Sequence, residues 1–146
     1  MQNIMYITIA VLMGIILSIY LPMNSAVSKY IGSTITANVT FFTVALLTSV
    51  LLFIIFGDFH SMHNIKEVPI YLYLTGFISA FIVLGTTFLI PHLGARKLFI
   101  LVVAGQILMA VIVSHFGLLE SPKDPVTIKK LVGAFVVLFG AYISTS

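Results

Sequence analysis

The sequence predicts an all-α integral membrane protein with five transmembrane helices. Three observations favour this fold class: 60% of the residues are hydrophobic, only 8% are charged, and the mean hydropathy is +1.21. A soluble domain carries about 25% charged residues, so this chain has too few to cover a surface in contact with water. A soluble enzyme and a nucleic-acid-binding protein are therefore excluded.

The charged residues divide the chain into uncharged runs at 1–28, 30–57, 68–95, 98–119 and 131–146. A membrane-crossing helix needs about 20 mostly apolar residues, and the first four runs are long enough. No cation precedes the first run, which is too long for a signal peptide, so we expect it to remain as a helix. The fifth run is short, and spans the membrane if Thr127 and Ile128 join it and Lys129 and Lys130 extend to the headgroups.

Proline residues set the predicted helix ends. Pro22 and Pro91 lack the N–H that continues a helix, so we expect the first and third helices to end or kink there. Pro69 begins the third helix, where the first turn tolerates proline, and a polar turn at 121–125 follows the fourth. The predicted spans are residues 4–21, 33–56, 69–90, 97–118 and 127–143, within a single domain, 1–146. Continuous apolar runs favour helices over strands, which would alternate.

Cations are nearly balanced across the membrane. Five spans place four of them on the amino-terminal side (Lys66, Lys123, Lys129, Lys130) and three on the other (Lys29, Arg96, Lys97). An excess of Lys and Arg in cytoplasmic loops orients a membrane protein, and an excess of one is too small to impose an orientation. We predict insertion in both orientations; the alternative is one orientation with a weak bias. An odd number of helices also matches one half of an inverted-repeat transporter, completed by an inverted copy of the chain.

Several motifs in order along the chain resemble one transporter family. They are Leu-Pro-Met-Asn-Ser-Ala at 21–26, the polar and aromatic segment at 38–42, Ile-Pro-His-Leu-Gly-Ala at 90–95, Val-Val-Ala-Gly-Gln at 102–106 and His-Phe-Gly-Leu-Leu at 115–119. The chain resembles the YdcZ-type family, short five-helix members of the drug/metabolite transporter superfamily. The resemblance implies small-molecule transport by antiparallel pairs, and it names no substrate.

Polar residues expected inside the bilayer are the candidate site residues, because polar groups are costly there. Gln106 is expected near the midplane, and Gly105 beside it allows close approach of a backbone or a solute. The alternative for Gln106 is a hydrogen bond between helices. Asn24 follows Pro22, where freed carbonyls could help to bind a ligand; alternatively, it caps the turn.

A second candidate group lies early in helix two. Asn38 and Thr40 precede Phe41 and Phe42, and an amide beside paired aromatic rings could hold an amine or a planar ring; packing or lipid contact is the alternative. His115, near the end of helix four, is a candidate for proton coupling because histidine exchanges protons near neutral pH. A solvated histidine at the interface is the alternative.

The leading functional hypothesis is a small-molecule transporter that works as an antiparallel, dual-topology homodimer by alternating access. A passive channel of the same architecture and a non-transporting accessory subunit are the alternatives.

No carboxylate lies inside a span, which favours neutral or zwitterionic solutes. Catalytic motifs and cysteines are missing, so we expect no enzyme, cofactor or metal site. The expected partners are the bilayer of the inner or plasma membrane, an inverted copy and a small organic solute, without nucleic acid. Small residues on helix five (Gly133, Gly140, Ser144) suggest a dimer seam or packing within the chain.

Overall fold

The computed structural model describes the backbone of residues 2–145 and the side chains of 4–119 and 121–145. Within that part it contains five α-helices: α1 (Gln2–Ile31), α2 (Thr34–Phe56), α3 (Leu74–Leu93), α4 (Ala95–Phe116) and α5 (Ile128–Thr145). Short 3-10 helices lie at Phe59–Glu67, Ile70–Tyr73 and Leu118–Glu120. Each of the five α-helices contains or belongs to a segment long and apolar enough to cross a membrane, which confirms the predicted all-α membrane fold.

The chain divides into two compact units, Met1–His92 and Leu93–Ser146. The first unit contains α1, α2 and nearly all of α3, and the second contains α4 and α5. That the five helices act as a single domain stays a prediction.

A tight turn joins α1 to α2. Gly32 has a φ of +78°, a left-handed conformation that glycine adopts without steric cost, and its N–H donates to the Ser28 carbonyl (2.9 Å). Ser33 then caps α2, its hydroxyl accepting the Thr36 N–H at 3.2 Å. Because only two residues separate these helices, α2 turns back along α1.

Both prolines at which a helix was expected to end or kink lie inside helices. Helix α1 continues through Pro22 to Ile31, and α3 continues through Pro91 to Leu93. The predicted ends at residues 21 and 90 are therefore wrong. A proline removes one helical hydrogen bond, whereas a helix end leaves about four carbonyls unpaired, and in lipid continuation is the less costly choice. Helix α3 begins as α-helix only at Leu74, after the 3-10 turn at Ile70–Tyr73.

In the second unit, α4 ends at Gly117, which has a left-handed φ of +64°. The following loop folds back onto α4, where the Asp124 N–H donates to the Ser114 carbonyl (2.8 Å). Helix α5 begins after Thr127, whose hydroxyl accepts the Lys130 N–H (3.4 Å). The Lys130 ammonium pairs with Asp124 and with the Pro125 carbonyl. This lysine therefore ties the loop to the first turn of α5, and its extension to the headgroups stays a prediction.

Burial in this fold is the reverse of that in a soluble protein. Most large aliphatic and aromatic side chains of the described helices are exposed, as a lipid-facing surface requires. Several buried residues are small and polar, and all of these lie in the first unit: Asn24, Ser25, Ser28, Thr86 and Thr87.

Candidate functional site

A cluster of polar side chains joins α1 to α3. The Asn24 Nδ2 donates to the Thr87 hydroxyl (2.8 Å), and the Ser25 hydroxyl donates to the Thr87 carbonyl (3.2 Å). Thr87 has 0% of its surface exposed and Ser25 has 2%. Asn24 lies inside α1 and therefore does not cap a turn after Pro22. One of the best-buried points of the first unit is thus a hydrogen-bonded contact. In a membrane such a contact holds helices together where apolar packing alone gives little specificity.

Pro91 explains why the Thr87 carbonyl is available. In an unbroken helix that carbonyl would accept the N–H of the residue four positions later, and this residue is Pro91, which has none. The Ser25 hydroxyl of α1 replaces the missing donor. Pro91, which the sequence suggests as a helix end, therefore leaves the Thr87 carbonyl free to accept from a neighbouring helix.

Asn38 links α2 to α3. Its Nδ2 donates to the Ala80 carbonyl at 3.3 Å, whereas its Oδ1 is buried and has no donor among the described residues. Leaving a buried acceptor unpaired costs about 1–3 kcal/mol. Beside it, an open cleft of ≈ 390 Å³ is lined by Asn38, Phe42 and Ala80 together with Val39, Thr43 and Leu46.

The other predicted residues of helix two line a second cleft, between α1 and α2. This cleft of ≈ 400 Å³ brings Asn24 together with Thr40 and Phe41. The Phe41 ring stacks on Tyr20 (centroids 5.8 Å apart) and meets Phe42 edge-on (5.1 Å). The Thr40 hydroxyl donates to the Ala37 carbonyl of its own helix (2.8 Å), which leaves its oxygen lone pairs as the group available to a ligand.

Gln106 and Gly105 lie in the second unit, at the middle of α4. Gln106 is about 16 Å along the helix from Ala95. Both residues are exposed, and a side-chain carbon added at Gly105 would meet nothing within 4 Å. The Gln106 amide makes no hydrogen bond to any described residue. The structure therefore presents an unpaired amide beside an open stretch of backbone.

His115 holds the loop between α4 and α5. Its Nδ1 accepts the Val126 N–H (3.1 Å), and its ring meets Phe116 edge-on (4.7 Å). An imidazole that accepts a hydrogen bond at Nδ1 carries its proton on Nε2. His115 is half-buried, so it is neither a fully solvated interface residue nor a group without a partner.

Sequence reasoning named Asn24 but missed the residues that it meets. Thr86 and Thr87 form the one adjacent threonine pair in α3, and Thr87 stands four residues before Pro91. That spacing is the signal that could have found Thr87, because it marks a free carbonyl. Ser25 and Ser28 follow Asn24 on α1 with the short polar side chains that such a contact needs.

A family comparison covers almost the whole chain. The model of the family described as "Putative inner membrane exporter, YdcZ" matches residues 5–143. No significant match was found among curated proteins or among solved structures. The matched range extends from the first turns of α1 to near the end of α5, and it confirms the resemblance carried by the motifs. With five segments able to cross a bilayer among the described residues, this chain belongs to the YdcZ family of membrane transporters and is a multi-pass protein of the inner membrane.

Proposed function

We propose that this protein exports small organic solutes as an antiparallel homodimer that works by alternating access. The exposed amide of Gln106 carries this proposal. A polar group facing hydrocarbon is unfavourable, and the described chain supplies no partner for it. The missing partner is a solute, a second copy or both.

The position of Gln106 suits an antiparallel pair. In such a pair a two-fold axis in the membrane plane relates the two copies, as it relates the halves of inverted-repeat transporters. This rotation leaves the midplane in place and exchanges the two membrane faces. Gln106, at the middle of α4, therefore keeps its depth in both copies. Asn24 lies about 10 Å from the end of α1, so the two copies place this residue on opposite sides of the midplane. Such a pair therefore has both Gln106 residues at the same central depth and one Asn24 toward each membrane face.

The solute that these residues suit is uncharged overall and partly aromatic or apolar. The proposed contacts are Gln106 and Gly105 on α4, and Asn24, Asn38, Thr40, Phe41 and Phe42 on α1 and α2. They offer amides, a hydroxyl and aromatic rings, and the uncharged runs that form the spans contain no carboxylate to balance a buried cation. Neutral and zwitterionic solutes therefore fit best.

The cation balance of four to three supports insertion in both orientations, which an antiparallel homodimer requires.

His115 is the remaining candidate for coupling to protons. A doubly protonated ring could not accept the Val126 N–H, so protonation would release the loop before α5. That link between protonation and the loop is the form that coupling would take.

The test measures solute efflux from vesicles that contain purified wild-type protein or the Gln106→Ala variant, using solutes chosen by thermal-shift screening. Gln106→Ala should reduce flux at least tenfold, about 1.4 kcal/mol, while insertion and dimerisation persist. The matched control is Leu108→Ala, which truncates an exposed apolar residue on the same helix and should keep flux.

The outcomes separate the alternatives. Saturable flux that unlabelled solute accelerates from the far side supports a carrier, and unsaturable flux would indicate a channel. Wild-type vesicles without flux of any screened solute would indicate an accessory subunit. Full flux with loss of the dimer in Gln106→Ala would show that this residue only holds helices together.

A further inference from the structure

We propose that the second unit carries a binding site for an anionic phospholipid, with one acyl chain between α4 and α5 and the phosphate at Arg96. The site is distinct from the residues proposed for transport. It depends on a groove, on a fixed cation at its mouth and on the charges around it.

The groove is apolar almost throughout. It has a volume of ≈ 370 Å³ and is lined by Phe99, Ile100 and Val103 of α4 and Val137, Gly140, Ala141 and Ser144 of α5. From Ser144 to Val137 it follows α5 for about 10 Å. Gly140 leaves space on the α5 side, since a carbon added there would meet nothing within 4 Å. This shape suits an extended hydrocarbon chain lying along the helices.

Arg96 lies at the mouth of this groove in a defined position. Its Nη1 donates to the carbonyl (3.2 Å) and to the hydroxyl (3.4 Å) of Ser144, where the helix dipole of α5 favours a cation. Nη2 and Nε make no hydrogen bond to a described residue. Arginine binds phosphate through such parallel N–H groups, so the guanidinium can hold α5 and a phosphate together.

The surrounding charges favour an anion. Lys97 is half-buried and adds a second cation at the same level of α4. No acidic residue occurs in the sequence from 68 to 119 or from 125 to 146, so neither cation has a neighbouring carboxylate on α4 or α5. Basic pockets between transmembrane helices bind anionic headgroups, and these two cations stand where α4 begins.

An anionic lipid fits this site because both parts of the molecule have a counterpart in it. The apolar lining suits an acyl chain, and the two cations at the mouth of the groove suit the headgroup. A helix from a second copy would cover the apolar lining, but the uncharged runs that form the spans hold no carboxylate to pair with Arg96 and Lys97.

The test uses a fluorescent reporter in the groove. The chain contains no tryptophan, so Phe99→Trp in the full-length protein gives a single indole signal. The protein is placed in phosphatidylcholine vesicles containing brominated-chain phosphatidylglycerol or, separately, brominated phosphatidylcholine, because bromine quenches indole on contact. We expect quenching to favour the anionic lipid. Each cation removed by Arg96→Gln or Lys97→Gln should lower this preference about fivefold.

Two matched controls accompany the measurement. Lys29→Gln removes a cation predicted on the same membrane face but outside the groove, and it should leave the preference unchanged. Gly140→Leu should fill the groove and abolish quenching by both lipids, whereas Gly133→Leu on the same helix should not. Equal quenching by the two lipids would overturn the proposal. Absence of quenching, together with loss of the dimer in Gly140→Leu, would assign the groove to a second copy instead.

Discussion

Thr87 uses both of its oxygens to hold α1. Its hydroxyl accepts from Asn24 and its carbonyl accepts from Ser25, and no surface of the residue is exposed. In a bilayer, apolar side chains gain little by leaving lipid for another helix, so hydrogen bonds and close packing of small residues determine which helices meet. This one residue therefore specifies both the partner helix and its register.

Thr87→Val tests this role, because valine keeps the shape and removes the hydroxyl. We expect the loss of about 1 kcal/mol of stability, measured as a lower unfolding midpoint in detergent, since the Asn24 amide loses its acceptor. Thr86→Val is the control: Thr86 is also buried but donates only to carbonyls of its own helix, at Ile82 and Val83. Equal losses in the two variants would contradict the account.

At the scale of elements, charge and hydropathy were sufficient to locate all five helices, with every predicted end within ten residues of the observed one, or about three helical turns. The errors at the carboxyl ends of α1 and α3 lie at Pro22 and Pro91, because a rule about proline in water does not include the cost of ending a helix in lipid. Helix α3 also begins five residues later than predicted, after a 3-10 turn. The sequence also named Asn38 and Gln106 as polar residues within helices, and Asn24 as a polar residue that follows Pro22. It could not pair Asn24 with Thr87, because that pairing depends on the register between α1 and α3, which no local pattern specifies.

Pro91 and Ser25 should be energetically coupled if the proline frees the carbonyl that the serine occupies. Pro91→Ala restores an N–H within α3 that competes for the Thr87 carbonyl. Ser25→Ala should then cost about 1 kcal/mol in the native background and clearly less in the Pro91→Ala background. The measurement is a double-mutant cycle on unfolding midpoints.

Ser79→Ala provides the control for this cycle. Its hydroxyl donates to the Thr75 carbonyl within α3 (2.8 Å), so its cost should be the same in both backgrounds. An unchanged cost of Ser25→Ala in the Pro91→Ala background would show that the serine hydroxyl does not depend on the proline.

At the scale of the whole molecule, the proposal requires two populations of one chain. Two lysines added beside Lys66 should make that side cytoplasmic, and two beside Arg96 should favour the opposite orientation. Each variant alone should lose activity for lack of inverted partners, and co-expression should restore it. Orientation is measured by labelling a cysteine introduced by Ser61→Cys, which is unique because the chain has no cysteine.

The Ser61→Cys variant without added lysines is the reference for this experiment. It should be labelled from both faces of intact cells, whereas each biased variant should be labelled from one. Activity retained in a single biased variant, with no gain on co-expression, would contradict the antiparallel pair and favour a parallel dimer or a monomer.

The odd number of crossing segments among residues 2–145 has a consequence for how such a protein could be joined to itself. A chain with an odd number of crossing segments begins on one face of the membrane and ends on the other. The last helix of one copy therefore ends on the face where the first helix of an inverted copy begins. A short linker could therefore fuse two copies in tandem without an additional crossing segment. In that single polypeptide, the covalent connection would enforce the inversion, and the residues at the helix ends could diverge separately in each half.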